Sequence, residues 1–421
     1  MTKINLLSIL MIHFICWVQI LNGQAMDHKQ GEVILCLHPQ TSLAAITQRH
    51  ALMENVPTDF VLDRCLNQHM NIWKAQFDYT KINERRLLDQ LNQDPEIVVA
   101  QLNHFLKQRS NIPNDPKVES QWQWFNIGAY DAWTFTTGGI TQSGDTIVVA
   151  VLDVGVYDRH EDLIGNIWTN KNEIPHNGID DDENGYVDDY RGWNVLYAND
   201  SIDPEIFSGD VQETHGTEIL GVIGADGNNG IGVSGINWNV KMMNVYINSD
   251  LNEADIIAAY GYVLDQRKLY NESGGQKGAY VVATNLSYGD EDLNPSETPI
   301  WCAVYDSLGE QGILNCTATA NTSIDIDSIM DVPTSCASPY MISVTATNSD
   351  DVRSFAAYGK NDIDIAAPGS QLLTTSIPDY DYVTGTSFAS PMVAGAIALL
   401  YSAPCGDLAA LSHTSPAEAA L

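Results

Sequence analysis

Gly385-Thr386-Ser387-Phe388-Ala389-Ser390-Pro391 is the stretch on which the reading of this chain turns. It sets a serine just behind a glycine turn, at the head of an apolar run of helical length from Met392 to Leu400. A hydroxyl in that position is exposed, and the backbone N–H beside it lies at the positive end of a helix dipole. Such a seat suits a nucleophile that must also shelter a developing oxyanion. An ordinary helix N-terminus carries the same residues, because serine and threonine cap helices well. Two upstream segments decide between the readings.

The first is Thr146-Ile147-Val148-Val149-Ala150-Val151-Leu152, a continuous β-branched run that reads as a buried parallel strand. It ends on Asp153, with Gly155 close behind. The second is Thr214-His215-Gly216-Thr217, which opens an apolar-patterned helix through Ile219, Leu220, Val222 and Ile223. Alone, the acid would be a turn residue and the histidine a surface group. Together they give Asp, His and Ser in that order, each at the rim of a core element.

Further apolar runs span Val240–Ile247, Ala279–Leu286, Gly312–Ala318 and Met341–Ala346, interleaved with helical patterns such as Glu253–Leu269. Alternation of this kind implies an α/β fold, a doubly wound parallel sheet with helices on both faces. In such sheets ligands bind beyond the carboxyl ends of the strands. Asp153, Ser287-Tyr288-Gly289 and Asn321 all fall there.

From about Pro113 onward the chain resembles the subtilisin-like serine proteases, the subtilase (S8) family. The likeness is carried by Val151-Leu152-Asp153-Val154-Gly155, His215-Gly216-Thr217, Asn285-Leu286-Ser287-Tyr288-Gly289 and Gly385-Thr386-Ser387 through Pro391. Lesser matches are His160-Glu161-Asp162-Leu163, Ala366-Ala367-Pro368-Gly369 and Pro113-Asn114-Asp115-Pro116. Asp180–Tyr186 and the cysteine-containing stretch after Trp301 are most similar to secreted Bacteroidetes-type members. The resemblance implies that Ser387 attacks a peptide carbonyl, His215 takes its proton and Asp153 orients the imidazole, in the triad's subtilisin chain order. Asn321 would be the side-chain oxyanion donor, worth roughly 10²–10³ in rate, a figure that comes from subtilisin itself. Ser287, Tyr288 and Gly289 would pair with an extended substrate backbone. Three positions depart from the family pattern: Glu218 replaces a second histidine, Ala320 a glycine, and Phe388 a methionine. None removes a catalytic group, though Ala320 would narrow the S1 wall.

With 421 residues there is room for a large core and a smaller domain. Lys3, an apolar stretch from Leu6 to Leu21 and small residues near Ala25 read as a signal peptide over 1–24, hence a secreted, extracellular protein. Residues 25–110 carry strand-like Glu32–Leu37 and Glu96–Ala100 around helix-prone Glu84–Leu91. The resemblance makes this α+β segment a propeptide, an intramolecular inhibitor cleaved near Leu106–Asn111, and the protein a self-processing zymogen. The catalytic domain would occupy 111–421, and the short tail after the Ser387 helix reads as a truncation.

The formal net charge is −34, from 54 acidic and 20 basic residues. That balance repels nucleic acid and anionic membranes, so neither nucleic acid nor stable membrane association is expected. Expected partners are protein or peptide substrates, acted on by a monomer with no organic cofactor. Secretion makes disulfides plausible among Cys302, Cys316, Cys336 and Cys405, which allow three pairings. Asp180, Asp182, Asn184 and Asp188 follow the spacing of an EF-hand-type calcium loop, except that its twelfth position is Arg191. Asp162 and Asn228, in the Asp226–Gly232 loop, resemble the subtilase structural calcium site. The competing reading is a catalytically silent subtilase fold that binds peptides.

Overall fold

The computed structural model describes residues 28–104, 111–202, 214–247, 252–291 and 293–421; the expected signal peptide and positions 105–110 lie outside them. The chain divides into two compact units, residues 1–108 and 109–421.

In the first unit, strands β1 (His28–Leu37), β2 (Val61–Asn67), β3 (Ile72–Gln76) and β4 (Ile97–His104) form an antiparallel sheet in the order β2-β3-β1-β4. Helices α1 (Leu43–Arg49) and α2 (Glu84–Asn92) bring Ile46, Leu87 and Leu91 to a core with Val33, Leu35 and Leu37. Alternate residues of one strand share a face, so one side of the sheet is apolar.

The second unit is built on seven strands: β5 (Ile147–Asp153), β6 (Gly192–Asn194), β7 (Lys241–Tyr246), β8 (Tyr280–Leu286), β9 (Leu314–Ala318), β10 (Met341–Thr347) and β11 (Ile365–Pro368). Their order is β11-β10-β9-β8-β5-β7-β6, and every pair is parallel. This is the doubly wound α/β sheet that the sequence implies. The unbroken apolar run of β5 has a direct cause. Ile147, Val149 and Val151 enter one core layer, with α3 (His215–Gly224) and α6 (Thr386–Tyr401). Val148, Ala150 and Leu152 enter the opposite layer, with α4 (Glu253–Ser273) and α5 (Pro299–Glu310). A strand covered on both faces has no solvent side on which to place polar residues.

The register aligns the strand ends that matter. Leu152 of β5 stands opposite Leu286 of β8, and Leu286 opposite Thr317 of β9. Asp153, Ser287 and Ala318 therefore follow one another along the carboxyl edge. From β5 the chain winds to β6 and β7 on one side and returns to β8 on the other, so the order reverses beside β5. A crevice at such a reversal is the ordinary place for a site in an open α/β sheet.

Cys302 and Cys336 form a disulfide, while Cys316 is a buried free thiol and Cys405 an exposed one, so only half of one of the three full pairings is made. Among the described residues no single helix is long and apolar enough to cross a membrane.

Candidate active site

Asp153 ends β5 and is buried, with Oδ1 accepting the Val154 N–H at 2.8 Å. His215 opens α3, and its Nδ1 lies 2.8 Å from Asp153 Oδ1 and 3.1 Å from Oδ2. Gly216 makes this approach sterically possible. A Cβ there would meet the Val154 carbonyl oxygen at 2.2 Å and that of Gly155 at 2.9 Å, so a larger residue would push the helix start off the strand end. Burial acts to lower the His215 pKa, but the Asp153 charge and hydrogen bond, helped by Glu218, outweigh it and hold the imidazole above its ordinary value. Glu218 also accepts a hydrogen bond from the Ser376 hydroxyl at 3.0 Å.

Ser387 lies in the first turn of α6, and the ring of the next residue, Phe388, is 5.6 Å from the His215 ring. The Tyr288 ring also packs against the imidazole, edge to face, at 5.9 Å. The first turn of α6 is tied to the sheet edge by a chain of hydrogen bonds. Ser390 donates to Asn285 Oδ1 at 2.7 Å, Asn285 Nδ2 to Ser287 Oγ at 3.0 Å, and the Ser287 hydroxyl to the Ser387 carbonyl at 3.0 Å. Nearby, Asn321 Oδ1 accepts the Thr386 N–H at 2.9 Å and the Thr386 hydroxyl at 3.0 Å. This commits the amide oxygen of Asn321 and leaves its NH₂ group as the donor. Ser387, Asn321, Ser287, Tyr288 and Gly289 all line one cavity of about 490 Å³. Asn285, Thr386 and Ser390 escaped the sequence reading as positioning groups, although each lies inside a motif already singled out.

The acidic loop folds differently from its spacing. Asp182 gathers with Glu173 and Asp189, all three buried, each offering a carboxylate oxygen within 4.8 Å of the others. Asp180 instead accepts the N–H groups of Asn184 and Gly185, and Asp188 those of Asn177 and Gly178. Of the expected set of Asp180, Asp182, Asn184 and Asp188, Asp182 lies in this cluster, and Asn184 reaches it through a 3.1 Å hydrogen bond to Asp189. Glu173 Oε2 is buried and has no hydrogen-bond partner. Burial, reinforced by the Asp182 charge, pushes the Asp189 carboxyl up to about 7. Three buried carboxylates with an orphaned oxygen suit a hard cation.

Asp162 and Asn228, the second expected pair, have different hydrogen-bond partners. Asn228, in the left-handed region at φ 63°, turns its Oδ1 to the Asn114 N–H at 3.2 Å. It is Asn229 whose Nδ2 reaches Asp162 Oδ1 at 2.8 Å, while Val233 N–H takes Oδ2.

Comparison with known proteins accords with this geometry. The sequence profile of the Subtilase family matches residues 144–411. The chain belongs to the subtilase family. It is 27% identical over 351 residues to subtilisin-like protease 1 of Plasmodium berghei, covering 77% of this chain and 54% of that protein. It is 28% identical over 340 residues to an extracellular basic protease of Dichelobacter nodosus, covering 75% and 52%. The chain thus spans about half the length of these curated relatives. A protease from Pseudoalteromonas arctica shares the fold, with TM-score 0.53 and 23% identity over 74% of this chain and 91% of that one. Among the relatives of this subtilase are proteins named as extracellular proteases.

Proposed function

We propose that this subtilase is a secreted serine endopeptidase that hydrolyses peptide bonds through an acyl-enzyme on Ser387. The observation that carries the reading is the Asp153–His215 pair at 2.8 Å beside the serine-bearing first turn of α6. His215 takes the Ser387 proton as the hydroxyl oxygen attacks the substrate carbonyl, and later returns it to the leaving amine. Asp153 holds the Nδ1–H tautomer and stabilises the imidazolium. The Ser387 N–H and the Asn321 NH₂ group face the developing oxyanion. Their hydrogen bonds strengthen as charge moves onto that oxygen, which lowers the barrier rather than merely binding substrate. Water then repeats the attack on the acyl ester, with His215 again as base. An extended substrate lies along Ser287–Gly289.

The first unit is read as a propeptide that restrains the enzyme until cleaved by the same serine, after export directed by residues 1–24. The likeness to Bacteroidetes-type secreted members rests on Asp180–Tyr186 and the stretch after Trp301. A calcium ion would be held by Glu173, Asp182 and Asp189, with Asn184 alongside. Its chemistry there is charge neutralisation in a buried acidic cluster. The test is casein hydrolysis by the protein and by its Ser387→Ala variant. Activity in the first and none in the second supports the reading, and equal activity refutes it.

A further inference from the structure

Among the described residues, the cavity beside Ser387 is lined by three acidic residues, Asp290, Glu291 and Asp331, and by no lysine, arginine or histidine. They come from two chain segments that the fold clamps together. Asp290 and Val332 form an isolated antiparallel bridge, with Asp290 N–H donating to the Val332 carbonyl at 2.7 Å and Val332 N–H to the Asp290 carbonyl at 3.0 Å. The bridge brings the segment running on from Ser287–Gly289 against Asp331. Asp331 is buried, and its Oδ2 is fixed by the Thr334 hydroxyl at 2.6 Å and the Ala320 N–H at 3.2 Å. Ala320 precedes Asn321, so the same short segment orients both the buried carboxylate and the oxyanion donor. Glu291 is held at the same cavity by the Thr322 hydroxyl at 2.7 Å. Burial chiefly, and then the charges of Glu291 and Asp290, raise the Asp331 pKa. The carboxylates sense one another, and a cation placed among them would relieve both effects.

We propose that this cavity selects substrates with arginine or lysine on the amino side of the scissile bond. The proposal rests on the protease reading above and names its substrate class. The cavity, about 490 Å³, falls in the range of roughly 300–1,000 Å³ that holds a small ligand. A guanidinium or ammonium entering it makes charge-assisted hydrogen bonds to carboxylates that are already oriented. An aromatic or aliphatic side chain would take water from those carboxylates and return no hydrogen bond, and an acidic one would be repelled.

The experiment is kcat/KM on a matched peptide series differing only at that residue: Arg, Lys, Phe, Leu and Glu. Arg and Lys should lead Phe by roughly 100-fold or more, with Glu last. Asp331→Asn should shrink the Arg/Phe ratio at least about ten-fold, and Glu291→Gln, away from the buried network, should shrink it by a smaller factor. Benzamidine, a planar cation of guanidinium shape, should inhibit the unsubstituted protein competitively. Cleavage with Phe or Leu equal to Arg, or a ratio unmoved in both variants, overturns the specificity and leaves the protease reading standing. Failure to cleave any peptide, together with no reaction at Ser387 with a fluorophosphonate, overturns the protease reading and this proposal with it.

Discussion

The hydroxyl of Ser287 donates to the backbone carbonyl of Ser387 at 3.0 Å. In an uninterrupted helix that carbonyl would accept the N–H four residues on, but the residue there is Pro391, which has none. The side chain from the end of β8 supplies the missing donor. One bond thereby satisfies a buried carbonyl and ties the turn bearing the serine to the strand that lines the cavity. Ser287→Ala should destabilise the protein by about 1–3 kcal/mol, the usual cost of a buried acceptor left unpaired. Ser287→Thr should recover part of it. Urea midpoints of the three proteins measure this, and an unchanged midpoint for alanine would mean that water or a backbone shift replaces the donor.

Gly216→Ala tests whether the approach of α3 to β5 sets the Asp153–His215 distance. The added methyl meets the Val154 carbonyl oxygen at 2.2 Å, so the helix start must retreat. A misplacement near 1 Å in a catalytic group costs about 100-fold in rate. We expect kcat to fall by at least that factor while the far-UV circular dichroism spectrum is kept. Full activity would show that the helix start has slack.

The pH dependence follows from His215, whose pKa is raised chiefly by the Asp153 charge and hydrogen bond against the opposing effect of burial. The neutral imidazole is the base, so activity is present above its pKa and lost as pH falls through it. The acid limb of kcat/KM should therefore have its midpoint above about 6.5, the ordinary histidine value. Removing a nearby negative charge with Glu218→Gln should move that midpoint down. A midpoint below the ordinary value, or an upward shift in the variant, would contradict the assignment.

Chelation should lower the melting temperature, because an ion that binds only the folded state stabilises it by mass action. Glu173→Gln should bind calcium more weakly and show a smaller drop on chelation. The readouts are scanning calorimetry and calcium titration, with metal removal checked by elemental analysis. Superimposable melting curves with and without chelator would rule out the ion.

The strands were legible because a parallel strand buried on both faces has to be apolar at every position, as in Ile147–Asp153. Asp153 was legible because it ends such a strand, and His215 and Ser387 because each opens a core helix. The buried acidic cluster was only partly legible. Spacing pointed to Asp180, Asp182, Asn184 and Asp188, whereas the convergence of Glu173 and Asp189 on Asp182 joins residues outside that pattern. The Asn229–Asp162 hydrogen bond beside Asn228 is a contact between segments distant in sequence. The Cys302–Cys336 pairing and the acidic lining of the cavity depend on contacts between distant segments, such as Asp290 with Val332. No local pattern records those.

The central claim, an activated nucleophile at Ser387, is tested most directly by treating the protein and its Ser387→Ala variant with a fluorophosphonate probe and mapping the adduct by peptide mass spectrometry. The account predicts one stoichiometric adduct, on Ser387 and absent from the variant, with Ser287 and Ser390 unmodified. An adduct on another serine, or none on a protein that cleaves casein, would contradict it.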